Sequence, residues 1–223
     1  MASMFDTILQ LPLFQGISTD DLTLILEKTR LHFVKKAAGE VIAKSGTPCD
    51  ALIYILRGQV EKATRGEAHT SYRVSEIVEG PYLVEPASLY GRSTCFRSTY
   101  KAASDADVMT ISKQALNEVL LKNHIIIFNY LNLLCRRVQN AENKLWQTPA
   151  TGAASIVAEA ILMHFENSSG RKLLCISQKK LAALTHLPYG RVKQILKDLE
   201  QQQLIRVEGH GIHIPEAERL REV

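Results

Sequence analysis

The apolar positions along the chain change their period twice, and each change marks a change of architecture. Leu22, Ile25, Leu26 and Thr29 follow helical spacing behind Ser18, a residue suited to cap a helix, and behind Asp20 and Asp21, which suit its positive end. A short opening helix is therefore expected. From about Phe33 to Ile111 the apolar residues fall in short runs punctuated by Gly39, Gly46, Gly58, Gly66 and Gly80, the pattern of many strands joined by turns. An antiparallel jelly roll or barrel fits this stretch best, with Leu52-Ile53-Tyr54-Ile55-Leu56 as a buried strand. Val108 to Ile111 is expected to close the sheet before Ser112 caps another helix.

Beyond Asn123 the helical period returns. His124, Ile127, Leu131, Leu134, Val138, Ala141 and Leu145 alternate in steps of three and four, a seam of the coiled-coil kind. A helix from 124 to 146 would span roughly 35 Å, more than one domain needs to cover its own core. Such a seam usually pairs with its copy, so Ile127, Leu131, Leu134, Val138, Ala141 and Leu145 are the expected dimer interface. The plainer alternative, a helix lying along its own barrel, stays open because Arg136, Arg137, Asn140 and Lys144 suit either case. Thr148-Pro149 and Gly152 then break the pattern and place a hinge there.

The last third begins with a helix around Ile156, Val157, Ala160 and Ile161 and a polar loop, Asn167 to Gly170. Ser177 can cap a helix running through Leu181 and Leu184, and Thr185-His186-Leu187 form a tight turn into Pro188, a residue at home in the first helical position. A second helix buries Val192, Ile195, Leu196 and Leu199 and turns Tyr189, Arg191, Lys193, Gln194 and Lys197 the other way. Two helices joined by a three-residue turn, the second with a cationic outer face, meet the requirements of a major-groove reader. Leu204 to Val207, a turn at Glu208 to Gly211, and Ile212 to Ile214 complete a β-hairpin, the wing of a winged helix.

Roles follow from position. Ser177, Gln178 and Lys179 at the first helix start would meet phosphates. Tyr189, Gly190 and Gln194 would face base edges, where Gln pairs bidentately with adenine. Arg191, Lys193 and Lys197 would neutralise phosphates. A solvated basic face on an ordinary helical subdomain is the competing reading, and it requires turn, period, wing and charge to coincide by accident.

Composition narrows the class. A chain of 223 residues has room for a larger and a smaller core, and its apolar and charged fractions are those of a globular protein. No apolar run approaches the roughly 18 residues of a membrane span, and Met1 to Phe14 lacks the basic start of a signal peptide, so a cytoplasmic protein without a membrane partner is expected. Cys49, Cys95, Cys135 and Cys175 lie far apart and form no C-x-x-C pair, which argues against an iron–sulfur or zinc site. The net charge of +4 is unevenly spread: Arg171, Lys172, Lys179, Lys180, Arg191, Lys193 and Lys197 share a segment without an acidic residue.

At this point the chain resembles the Crp/Fnr superfamily of transcription regulators. The front half carries Gly39-Glu40-x-Ile42-x3-Gly46 and Leu52-x-Tyr54-Ile55-x2-Gly58-x-Val60; the back half carries Leu181-Ala182, Val192, Ile195-Leu196, Leu199, Leu204-Ile205 and Gly209. The resemblance implies an α+β protein with an N-terminal antiparallel β jelly-roll sensor of the cyclic-nucleotide-binding type (1–121), a long dimerisation helix (122–147) and a C-terminal winged helix-turn-helix domain (148–223). It implies a homodimer that recognises an inverted repeat in double-stranded DNA, with the loop Asn167 to Leu173 placed where relatives touch RNA polymerase.

Glu85, Arg97 and Ser98 are the candidate effector residues, because members that bind cyclic AMP pair Gly-Glu-Leu with a later Arg-Ser. Here Val84 and Pro86 flank Glu85; Val crowds the phosphate and Pro has no N–H to offer, so a cyclic nucleotide is disfavoured and the effector is left unknown. Ala141 and Glu142 also stand where cyclic-AMP binders have hydroxyl residues. His32, His69 and His124 read as surface or interface residues rather than haem ligands. Two other classes compete: a cupin-type enzyme, opposed by the lack of His-x-His in the barrel region, and a nucleotide-binding regulatory subunit acting on a protein partner, opposed by the winged helix.

Overall fold

A computed structural model of the protein describes residues 4–29, 31–65, 72–118, 120–145, 152–165 and 170–223. Its helices are α1 (Met4–Leu9), α2 (Thr19–Lys28), α3 (Lys113–Glu118), α4 (His124–Leu145), α5 (Ala153–Leu162), α6 (Gln178–Thr185), α7 (Tyr189–Gln201) and α8 (Ala217–Arg221). Its strands are β1 (His32–Lys36), β2 (Val41–Ala43), β3 (Ala51–Arg57), β4 (Gln59–Arg65), β5 (Arg73–Glu79), β6 (Tyr82–Val84), β7 (Ser98–Ala102), β8 (Ala106–Ser112), β9 (Lys172–Cys175), β10 (Arg206–Glu208) and β11 (Gly211–Ile214). The result is the mixed α+β fold with antiparallel sheets that the period changes imply. Two compact units divide it: Met1–Gln59, Glu79–Arg97 and Ala102–Trp146 form the first, and Val60–Val78, Ser98–Lys101 and Gln147–Val223 form the second.

In the first unit an antiparallel sheet runs in the order β1-β8-β3-β6. β3 is buried from Leu52 to Ile55 and has β8 on one side and β6 on the other, with Tyr54 opposite Met109 and Leu83. A strand covered on both faces must be apolar at consecutive positions rather than alternating ones, which is why its run reads continuously. β8 ends the strand-rich region as expected, yet it does not lie at the sheet's rim: it sits between β1 and β3. The Ser18 hydroxyl accepts the Asp21 N–H at 3.1 Å and so caps α2. Ser112 does the same for Ala115 at the start of α3. α1 was not legible from the sequence.

α4 packs one face on this unit through buried Ile126 and Tyr130. Asn129 Nδ2 donates to the carbonyls of Leu13 and Gln15, and the Tyr130 hydroxyl donates to the Pro86 carbonyl. The helix therefore does lie along its own domain, but only on that face. Along the other, Ile125, Phe128, Leu131 and Val138 are exposed.

In the second unit the strand order is β10-β11-β9-β5-β4-β7. One apolar core joins Val74 of β5 to Val157 and Ile161 of α5, Leu174 of β9, Leu181 of α6, and Val192, Ile195, Leu196 and Leu199 of α7. α5 starts behind Gly152, where the sequence pattern breaks. β9 carries no strand signal in the pattern of its own residues. The hinge positions Thr148-Pro149, His69 and the loop positions Asn167 to Ser169 lie outside the described residues.

Gly58 shows why one of the predicted turns needs glycine. Its φ is +95°, and a Cβ there would stand 2.4 Å from the Asp105 carbonyl oxygen and 2.8 Å from the Ala106 Cα. Backbone cannot rotate away as a side chain does. Gly58→Ala is therefore expected to lower unfolding free energy by at least about 2 kcal/mol in urea titration, the combined effect of strained φ and overpacking.

Candidate nucleic-acid interface

α6 begins where the Ser177 hydroxyl accepts the Lys180 N–H at 3.2 Å, so this oxygen is engaged as a cap. The helix ends at His186, which adopts the left-handed conformation at φ 54° and turns the chain sharply. Thr185 is the last helical residue rather than the first of the turn; it is buried and its hydroxyl donates back to the Leu181 carbonyl. Pro188 sits one position earlier than expected. It is the residue before α7, and its carbonyl accepts the N–H groups of Arg191 and Val192 at 2.9 and 3.1 Å.

Burial of Val192, Ile195, Leu196 and Leu199 sets the roll of α7 about its axis. Because the helix repeats every 3.6 residues, Tyr189, Gly190, Arg191, Lys193, Gln194 and Lys197 must then face away, and all six are exposed. Tyr189 is 46% exposed, and its hydroxyl donates to Gln178 Oε1 at 3.4 Å, tying the starts of the two helices together. Gln194 Nε2 donates to Asp198 Oδ1 at 2.8 Å. That bond turns the amide along the helix. Lys179, Arg191, Lys193 and Lys197 have no ion pair among the described residues, which leaves their charges available to an anion.

One cation of the basic segment does not belong to this face. Lys172 is buried, and its ammonium lies 3.0 Å from the Glu76 carboxylate. The run of charge from Arg171 to Lys197 therefore overstates the surface by one lysine. The wing is β10 and β11, with Val207 opposite Ile212 and a tight turn at Gly209, whose φ is 60°. Arg206 and Glu208 form an exposed ion pair of 2.9 Å along it.

In the first unit Glu85 adopts a left-handed conformation, φ 31° and ψ 58°, ahead of a short 3-10 turn at Pro86–Leu89. Its carboxylate is buried and accepts the backbone N–H of Arg97 at 2.7 Å and the hydroxyl of Ser88 at 3.1 Å. Glu85 and Arg97 are thus brought together, but through the main chain of Arg97, whose side chain is exposed. Ser98 belongs to the second unit, is buried, and shares a 2.7 Å hydrogen bond with Thr64.

Residues 33–123 match the cyclic nucleotide-binding domain and residues 157–223 match the Crp-like helix-turn-helix domain. The chain belongs to the Crp/Fnr superfamily of transcription regulators. Among curated relatives of this Crp/Fnr protein, the CRP-like cAMP-activated global transcriptional regulator of Mycobacterium tuberculosis is 22% identical over 93% of the chain and 94% of its own length. The HTH-type transcriptional regulator Cmr of the same organism is 25% identical over 91% and 79%. Among solved structures, the catabolite activator protein of Thermus thermophilus has the same fold, with a TM-score of 0.53 at 21% identity, covering 95% of this chain and 97% of that one. A Crp/Fnr-family regulator of Eubacterium rectale gives 0.51 at 17% identity, over 95% and 97%. The relatives are transcription regulators and not enzymes.

The cyclic nucleotide implied by the family's front domain meets a poor fit in this Crp/Fnr chain. Pro86 offers no N–H, and Oε2 of the Glu85 carboxylate is already engaged within the chain by the Arg97 N–H and the Ser88 hydroxyl.

An exposed lysine on α7 that neutralises a phosphate contributes counterion release. Lys197→Ala is expected to weaken DNA binding about equally on all sequences and to reduce the slope of log K against log salt by about 1 unit per site, as read by fluorescence anisotropy between low and moderate salt.

Proposed function

We propose that the protein is a homodimeric, sequence-specific DNA-binding transcription regulator whose two α7 helices enter successive major grooves of an inverted repeat, about 34 Å apart. The observation that carries this reading is the exposed cationic face of α7, opposite a fully buried apolar stripe. DNA is the polyanion with a groove wide enough for such a helix.

The self-association rests on α4. Its free face exposes Phe128 to 63%, with Ile125, Leu131 and Val138 beside it, and Ile127 and Leu134 half-buried at the margin. A second copy of the same helix would cover these side chains by the spacing of three and four residues that knobs-into-holes packing uses. Ala141 is exposed at the far end of the stripe, and the Leu145 side chain lies outside the described residues. Phe128 was not in the predicted interface. It extends a parallel 128, 131, 135, 138 spacing interleaved with the predicted one.

The domain boundaries we adopt are 1–121, 122–147 and 148–223, with β5 pairing with β9 of the last of these. The front domain serves as a sensor for an effector other than a cyclic nucleotide, or as a degenerate one. The setting is the cytoplasm, and RNA polymerase is the further partner for the 167–173 segment, of which Arg171 is exposed.

Selection from random duplex DNA by the purified protein tests the whole reading. Enrichment of an inverted repeat is expected; recovery of no motif, or of a single unpaired half-site, would refute it. Phe128→Asp is expected to sediment as a monomer and to lose selected DNA by two orders of magnitude or so in affinity, since each half-site is then bound alone. Cyclic AMP at millimolar concentration is expected to move the melting temperature by less than about 1 °C, and a larger rise would establish the front domain as a cyclic-nucleotide sensor.

A further inference from the structure

The wing sheet does not stop at the reader. β9 pairs with β11 on one side and, on the other, with β5 of the sensor-region hairpin, placing Arg73 opposite Cys175, Val74 opposite Leu174, Ser75 opposite Leu173 and Glu76 opposite Lys172. Val74 enters the same apolar core as α5, α6 and α7. Tyr72 meets His164 edge-on, with ring centroids 4.7 Å apart. At the end of the ladder the Glu76 carboxylate takes Lys62 Nζ of β4 at 3.1 Å on one oxygen and Lys172 Nζ of β9 at 3.0 Å on the other. The three side chains are 10, 2 and 0% exposed in the order Lys62, Glu76 and Lys172. Lys172 also stands 5.1 Å from the centroid of the Phe165 ring.

Two ammonium groups around one carboxylate, out of water, form an all-or-none contact. Removing the Glu76 charge, or drawing Lys172 away from it, leaves the buried Lys172 ammonium without its carboxylate, so β9 cannot slide along β5 by degrees: it is docked in this register or it is detached. The dock leaves the reading face free, because Tyr189, Arg191, Lys193, Gln194 and Lys197 are all exposed while Glu76 and Lys172 are paired. A reader held only by its linker must give up orientational freedom on each binding event, whereas a docked one has already done so.

The geometry points to Glu76, with Lys62 and Lys172, as positioning residues that hold the reader on the β4–β5 hairpin in its DNA-reading arrangement, so that the hairpin is the element through which the front domain sets DNA affinity. This inference rests on the DNA-binding reading above.

The test uses the full-length chain, with Cys49, Cys95 and Cys135 replaced by Ala or Ser, and DNA selected by the natural protein. Glu76→Gln is expected to lower affinity about tenfold while far-UV dichroism is unchanged. Arg73→Cys places a thiol opposite the native Cys175, within the Cα separation a disulfide accepts. Oxidised Arg73→Cys is expected to bind as the natural chain does, and adding it to Glu76→Gln is expected to restore affinity until dithiothreitol reverses it. Rescue by a covalent dock is not expected of a residue whose loss merely damaged the reading face.

If oxidised Arg73→Cys loses DNA and reduction restores it, the docked form is an inhibited state and the inference is overturned. Unchanged affinity in Glu76→Gln overturns it as well. Should Glu76→Gln fail to fold, the oxidised and reduced forms of Arg73→Cys decide alone. If the natural chain selects no DNA, the regulator reading fails instead; hydrogen exchange at the β9 amides, faster in Glu76→Gln than in the natural chain, still reports whether the triad holds the dock.

Discussion

Val192, Ile195, Leu196 and Leu199 are drawn from water into the second core, and the rest of the reader depends on that burial. Each such side chain contributes roughly 1.5–3 kcal/mol when removed from water, so the stripe outweighs any preference of the exposed side chains by a wide margin. Once the stripe is inward, the helical repeat leaves Arg191, Lys193 and Lys197 no direction but outward. The left-handed His186 and the Pro188 carbonyl set where α7 starts, and Tyr189 is thereby placed at its leading end. The exposed cationic face is the complement of packing: it is the surface that the core leaves outward.

A segment of the length of 147–223 has little apolar surface to bury by itself, and domains of that size are marginal without an additional support. The second unit supplies the support from upstream in the chain. Val74 adds to the apolar core, β5 satisfies the free edge of β9, and Glu76 neutralises Lys172 in a place where an unpaired ammonium could not remain. Pairing an edge strand also removes a site at which unrelated chains could add. Buried charge is weak as a source of stability, since two desolvated ions gain little over apolar residues of the same size, but it is strict about register. Its contribution is therefore to which arrangement forms rather than to how firmly.

The first unit treats its polar residues in the opposite way. Glu85 faces inward, with Oε2 accepting both the Arg97 N–H and the Ser88 hydroxyl, so this carboxylate oxygen serves as an internal brace. Tyr130 ties α4 to the same turn through the Pro86 carbonyl. A change at the 85–89 turn thus bears directly on the helix that carries the apolar stripe at Phe128, Leu131 and Val138, and one hydrogen bond joins the two.

Local rules settle much of this protein's structure. Ser18, Ser112 and Ser177 mark helix starts because a hydroxyl satisfies a free N–H within three residues, and the α4 and α7 stripes show because a helix brings neighbours at three and four positions onto one face. The same locality explains the legible turn at Gly58 and the wing at Gly209, and with them the family resemblance. Tertiary structure alone decided the partnership of β9 with β5, 96 positions apart at Glu76 and Lys172, because strand pairing depends on which edge is presented rather than on anything within β9. For that reason Lys172 reads as one more surface cation in sequence and is an interior ion in the fold. The inward turn of the Glu85 carboxylate and the choice between Ile127 and Phe128 on α4 have the same origin: each residue is compatible with either environment, and only the neighbours packed against it decide which one it meets.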